Sequence, residues 1–221
     1  MDQTAFCERL SEVSWFFFDL DDTLHSFRAA SSTATTSTLQ LILVRNPNYT
    51  FSVSSLQSSY AAILESRTQA AFVDGKTSHQ YRQDRFRLLL EEYRVEVVDE
   101  TMEALLACYE TTLIVNVQLK PGAQALLQTL KARGKKIAII TEGPQDAQER
   151  TIAALGLAPF VDYLATTNEH GVAKTNGLFP RVLEALGVNG KEVVMVGDSW
   201  ERDIVPATHA GISCHWTNYD I

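Results

Sequence analysis

The chain has 221 residues, enough for one α/β domain of ordinary size with a smaller one beside it. Hydrophobic content of 45% and charged content of 21% are those of a globular protein, and a formal net charge of −8 argues against a nucleic acid polymer as the main partner, since that needs a broad basic surface. Cys7, Cys108 and Cys214 are odd in number, far apart and without Cys-x-x-Cys spacing, so they read as free thiols of a reducing compartment. Residues 1–6 have neither a basic region nor an apolar run, and no apolar stretch approaches the ~20 residues of a membrane span. A cytoplasmic protein with no membrane partner is expected.

Residues 1–12 read as a short amphipathic lead-in. Trp15-Phe16-Phe17-Phe18 then offers no polar face, which suits a strand over about 13–19 buried on both sides of a parallel sheet. Asp19, Asp21 and Asp22 follow at once, and one buried carboxylate without a partner costs several kcal/mol. The strand should therefore stop at Phe18 or Asp19 and deliver its acids to the crevice at its carboxyl end. Side chains two apart on an extended chain face one way, so Asp19 and Asp21 are expected to share one spot with Leu20 behind them. At roughly 4 Å and an effective dielectric near 20 they would repel by about 4 kcal/mol, unless they share a proton or meet a cation.

From Phe27 to about Gln118 the chain shows helical periods and no buried strand. Ala29–Val44, rich in Ser and Thr, ends at Asn46-Pro47-Asn48. Leu56, Tyr60, Ile63, Leu64 and Arg67 share a face, with Ser54 and Ser55 as candidate caps. Thr77–Tyr93 would turn Tyr81, Phe86, Leu89, Leu90 and Tyr93 inward and five of its charges outward. Met102, Leu105, Leu106, Tyr109 and Leu113 make the clearest apolar face, preceded by Asp99 as a cap or first-turn carboxylate.

From Lys120 helix and strand alternate. Pro121 suits a first helical position, with Leu126, Leu127 and Leu130 inward and Gly134 closing the helix. Lys136–Ile140 is a buried strand ending at Thr141, Pro144–Leu155 a helix closed by Gly156, and Tyr163–Thr167 a weaker strand. Leu178–Leu186 is helical, Val193–Val196 a buried strand ending at Gly197-Asp198, Asp203–Ala210 a short helix, and Ser213–Trp216 a last strand. The alternation predicts an α/β fold with a doubly wound parallel sheet and right-handed crossovers.

In such a sheet the polar groups ending the strong strands lie on one edge: Asp19 and Asp21, Thr141, and Asp198. Lys174 follows the weak strand in His170-Gly171-Val172-Ala173-Lys174. This series resembles the four ordered motifs of the haloacid dehalogenase (HAD) superfamily, with Asp19-Leu20-Asp21-Asp22-Thr23 as the first and Gly197-Asp198 to Asp203 as the last. The resemblance covers about 13–24 and 120–217, and its downstream half looks most like the nucleotide and sugar-phosphate phosphatases of that group. It implies a Rossmannoid HAD-like core from 1–24 and 119–221, with a C1-type helical cap domain inserted at 25–118.

The resemblance also implies roles. Asp19 would attack phosphorus to give an aspartyl-phosphate. Asp21 would protonate the leaving oxygen and then activate water. Thr141 and the backbone N–H groups near Leu20, Glu142 and Gly143 would bind the phosphoryl oxygens, and Lys174 would neutralise charge. Mg²⁺ is the implied cofactor, held by Asp19, Asp198 and the carbonyl oxygen of Asp21, with Asp203 behind them orienting a water or Lys174. The partner would be a small phosphorylated metabolite and the protein a monomer or homodimer.

Each part has an ordinary reading too: Lys174 as a surface lysine, Thr141 or Asp198 as helix caps, and Asp203 paired with Arg202 or Lys191. Two residues depart from the phosphatase pattern, Glu142 where Asn is usual and Thr175 where Pro is usual. A phosphomutase, a diphosphate-processing enzyme, a dehalogenase or a catalytically silent HAD-fold binding protein stay open as alternatives. Among the histidines, which lack metal-ligand spacing, His25 stands apart because it lies just past the acidic loop where the cap would hinge.

Overall fold

The aromatic run Trp15–Phe18 forms β1, the central strand of a five-stranded sheet. The computed structural model describes residues 13–68 and 71–217, so the lead-in at 1–12, Cys7 and the side chain of Arg67 lie outside the described residues. The other strands are β2 (Lys136–Thr141), β3 (Tyr163–Thr166), β4 (Val193–Gly197) and β5 (Ser213–Trp216). Their order is β3-β2-β1-β4-β5 and every neighbouring pair is parallel.

Alternation along the strands builds two cores, one on each face. Phe16, Phe18, Ile137 and Ile139 pack with Leu127, Leu130 and Ile152 of α5 (Ala123–Ala132) and α6 (Gln145–Ala154). Phe17, Ala138, Ile140 and Met195 pack on the other side with Phe179, Val182 and Ala207. Those last three come from α8 (Leu178–Leu186) and α9 (Val205–His209), and a single turn of helix, α7 (Thr167–His170), follows β3. The chain is thus an α/β protein with a doubly wound parallel sheet.

Between β1 and α5 the described residues form four helices: α1 (Phe27–Arg45), α2 (Val53–Thr68), α3 (Ser78–Glu92) and α4 (Asp99–Asn116). They enclose a third core of their own, drawn from residues between Ala30 and Leu113. In α4 the buried residues are the five expected from spacing, Met102, Leu105, Leu106, Tyr109 and Leu113. Asp99 lies in its first turn, where a carboxylate meets the positive end of the helix, and makes no capping bond.

Several local expectations are corrected. Leu126 is 44% exposed, because α5 starts at Ala123 behind Gly122 and its inward face is Ala123, Leu127 and Leu130. Arg82 is the charge of α3 that turns in, with its guanidinium 4.4 Å from the Tyr109 ring centre and donating to Ser78 Oγ at 3.3 Å. At the start of α2, Ser52 and Ser55 exchange backbone-to-hydroxyl bonds of 3.1 Å, so Ser52 does the capping. The segment after Asp198 is helical from Trp200 rather than Asp203, as a π-helical turn (Trp200–Ile204) that runs into α9.

The helical insert touches the sheet domain through α3 and α6. Ser78 N–H and Oγ donate to Asp146 at 2.9 and 2.6 Å, while Arg150 donates to Asp146 at 3.0 Å and to Ser78 Oγ at 2.6 Å. Burial alone would raise the Asp146 carboxyl, but the Ser78 donors and the Arg150 guanidinium outweigh it and hold the group below the usual aspartate range. Its contribution is therefore present above the ordinary aspartate value near ~3.9 and lost as pH falls through the lower native value. Asp146→Asn should lower Tm at neutral pH and lose less Tm than the unaltered protein between about pH 6 and about pH 3. Parallel acid profiles in thermal unfolding would show that this carboxylate does not latch the insert.

Candidate active site

β1 hands its end to the site through Asp19, whose N–H donates to Val196 O at 2.9 Å and whose side chain is buried. Asp22 then takes a left-handed φ of 62°, which Asp tolerates better than most residues, and the chain turns back. That turn returns the Thr23 hydroxyl to within 3.1 Å of Asp19 Oδ2 and 3.3 Å of Asp198 Oδ1. The same oxygen accepts the Asp198 N–H at 3.1 Å, so one hydroxyl splices the ends of β1 and β4.

Lys174 opens a short 3₁₀ turn (Lys174–Asn176) and is 2% exposed. Its Nζ lies 2.5 Å from Asp19 Oδ1 and 2.6 Å from Asp203 Oδ1. The other oxygen of Asp203 accepts the Ser199 N–H at 3.0 Å. The π-helical turn carries Asp203 this deep, and Gly197 makes room for it: a Cβ there would stand 2.5 Å from Asp203 Oδ2. The ordinary readings of Lys174 as a surface lysine and of Asp203 as a partner of Arg202 or Lys191 give way to a buried Asp–Lys–Asp triad.

Oxygens of Asp19, Asp198 and Asp203 all lie within 4.8 Å of one another. Burial, and then the neighbouring Asp203, push the Asp198 carboxyl up. Burial likewise pushes Asp19 up, to about 8, against the pull of Lys174. Burial opposes the charge on Lys174, but the two carboxylates outweigh it and hold the ammonium above the ordinary lysine value. Three carboxylates facing one ammonium leave a negative excess, and hard oxygen donors of this kind suit a divalent cation such as Mg²⁺. Asp203 meets Lys174 and Ser199, Asp19 meets Lys174 and Thr23, and among the described residues Asp198 meets the Thr23 hydroxyl and, at 3.5 Å, the largely exposed Arg28.

Asp21 has partners of its own. Its carboxylate is not one of those three and meets His25 Nε2 at 2.8 Å and Gln148 Nε2 at 3.4 Å, while its charge still helps to raise the Asp19 carboxyl. Leu20 packs behind it, fully buried. Thr141 ends β2 fully buried, and its hydroxyl has no hydrogen-bond partner among the described residues. Gly143 N–H donates to the Thr167 hydroxyl at 3.3 Å, a contact with which an incoming phosphoryl oxygen would compete. Glu142 pairs with Arg202 at 3.4 Å, which offsets its extra charge. Ser199, accepting from Arg202 N–H, caps the turn after β4, the task sequence left open to Asp198.

Thr23, His25, Gln148 and Arg202 went without a site role in the sequence reading. Thr23 carried a signal in its four-residue spacing from Asp19. Gln148 carried none, since its partner lies 127 positions away.

A family model for haloacid dehalogenase-like hydrolases matches residues 13–211. The chain belongs to that family. It is 32% identical over 212 residues to the pyrimidine 5′-nucleotidase YjjG of Escherichia coli (strain K12), covering 92% of this chain and 85% of the relative. It is 25% identical over 208 residues to a glyceraldehyde 3-phosphate phosphatase of Pyrococcus abyssi, covering 94% and 82%. Among solved structures, the magnesium-bound HAD-hydrolase YfnB of Bacillus subtilis superposes with a TM-score of 0.72 at 26% identity, covering 95% of this chain and 90% of that one. This HAD hydrolase also has, among its described residues, no helix long and apolar enough to cross a membrane.

Lys174→Met would leave two buried carboxylates without their ammonium, a change expected to cost about 3–5 kcal/mol. Burial already pushes the Asp19 carboxyl up, and without the ammonium it relieves the strain by protonating, so the deficit should shrink toward about pH 5 and grow toward about pH 8. Urea unfolding at both pH values measures it, and equal stability of the two proteins throughout would contradict the triad.

Proposed function

We propose that the protein is a Mg²⁺-dependent phosphatase that hydrolyses a small phosphate monoester through an aspartyl-phosphate on Asp19. The observation that carries this reading is the buried Asp19 carboxylate, fixed by Lys174 and Thr23 at the carboxyl end of the central strand. One oxygen is held on an ammonium and the other on a hydroxyl, which sets the carboxylate in one orientation for in-line attack. The unpartnered Thr141 hydroxyl at the end of the adjoining strand has a donor to spare for a phosphoryl oxygen. Backbone N–H groups at Leu20, Glu142 and Gly143 would share that load.

Asp21 would give its proton to the leaving oxygen and recover one from the water that cleaves the intermediate. Asp19 and Asp198, with the carbonyl oxygen of Asp21, would hold the Mg²⁺, which when bound offsets charge on the transferred group. Asp203 would act through Lys174, keeping the ammonium over Asp19. Residues 25–118 would form the cap and carry the substrate's specificity, with 1–24 and 119–221 as the catalytic core. The relatives' names suggest pyrimidine nucleoside 5′-phosphates and glyceraldehyde 3-phosphate as first substrates to try. A cytoplasmic location and a monomeric or homodimeric state complete the reading.

Phosphate release should be seen with Mg²⁺ on at least one member of a nucleotide and sugar-phosphate panel, and should vanish with a chelator. Asp19→Asn should abolish it, and Asp21→Asn should lower it by ~10²–10⁴. Turnover by Asp19→Asn close to that of the unaltered protein would remove the nucleophile from this scheme.

A further inference from the structure

Asp21 is clamped from both sides by two residues that the phosphatase scheme does not use. His25 is fully buried, and its Nε2 lies 2.8 Å from Asp21 Oδ1. Gln148, 5% exposed, places Nε2 3.4 Å from Asp21 Oδ2. Both partners have a buried polar atom left over, Nδ1 of His25 and Oε1 of Gln148. A buried polar group without a partner costs free energy, so neither side chain is placed for its own hydrogen-bonding comfort. In the tautomer with hydrogen on Nε2, the leftover atom of His25 is a lone pair and not an orphaned N–H.

The backbone is adapted to each contact. Gly143, at φ 150°, lets Gln148 approach so closely that a Cβ at this position would stand 2.6 Å from its Nε2. His25 bridges to Leu119 at the crossing between insert and core, where Ser26 N–H donates to Gln118 O and Lys120 N–H to Leu24 O. That crossing fixes the imidazole from the main chain outward.

We propose that His25 and Gln148 are positioning residues that hold the Asp21 carboxyl in the orientation from which it delivers its proton to the leaving oxygen. Asp21 is 23% exposed on its side chain, so without the clamp its χ angles are free to swing the carboxyl toward solvent. A clamp on both oxygens removes that freedom. The inference rests on the phosphatase reading above and adds the residues that make its acid effective.

The test compares two leaving groups. A nitrophenolate departs with little help from an acid, whereas an alkoxide requires the proton. The probes are p-nitrophenyl phosphate and the best alkyl phosphate of the panel, with kcat/KM measured for each because it covers the step in which the leaving group departs. For His25→Phe and Gln148→Met we expect kcat/KM on the alkyl ester to fall by ~10² or more, against less than about tenfold on the nitrophenyl ester. His25→Gln, whose amide nitrogen can stand where Nε2 stood, should regain most of the loss. The ratio between the two esters does not depend on how much of a variant folds, so partial misfolding leaves the result readable. Mg²⁺ affinity by calorimetry should stay unchanged. An equal fall on both esters would overturn the assignment and make His25 and Gln148 packing residues only. Failure of the unaltered protein on every ester would instead remove the phosphatase reading itself.

Discussion

The structure turns on one ammonium group buried between two carboxylates. An isolated charge at 2% exposure is prohibitively costly, so Lys174 cannot occupy its place unless Asp19 and Asp203 occupy theirs. Each of these demands something from a different part of the chain. Asp203 needs the wide turn after β4 and a glycine at 197, and Asp19 needs β1 to end where it does. Thr23 then ties the first and fourth strands across the same notch. The arrangement is a case in which folding and chemistry ask for the same geometry, because a carboxylate locked by its counter-charge is also one aimed in a single direction.

The two departures from the phosphatase pattern find local answers. Glu142 would crowd an anion site with negative charge, and Arg202, half-exposed at the start of the turn after Asp198, takes up that charge at 3.4 Å. Thr175 forgoes the rigidity of proline, yet the lysine loop is closed by Asn176 N–H and Leu178 N–H, which both donate to Ala173 O. Main-chain bonding of a tight turn thus does here what a fixed φ angle does elsewhere.

Periodicity carried the elements well where one face meets one core. The inward set of α4 was legible residue by residue, as was the buried run of β1 and the point at which its acids emerge. Leu126 was misread because its face depends on where α5 begins, and a glycine at 122 moved that start past Pro121. Which charge of α3 turns in was not legible, since a guanidinium can be buried over an aromatic ring and no spacing rule announces that ring 27 positions away. Asp19, Asp198 and Asp203 gather as their places at the strand ends suggested, while the contact of Asp21 with His25 carried no signal. Alternation holds only while the chain stays extended, and after Phe18 it does not.

The crossing between the helical insert and the sheet has a mechanical meaning. Outgoing residues 24–26 and returning residues 118–120 lie side by side, joined by main-chain bonds of 2.8 and 2.9 Å and by the His25–Leu119 bridge. Two lone linkers would let the four-helix body swivel about many torsions, whereas a paired ribbon flexes readily about one axis and resists twist. Joined in this way, the two strands of chain admit bending across the ribbon and oppose rotation along it.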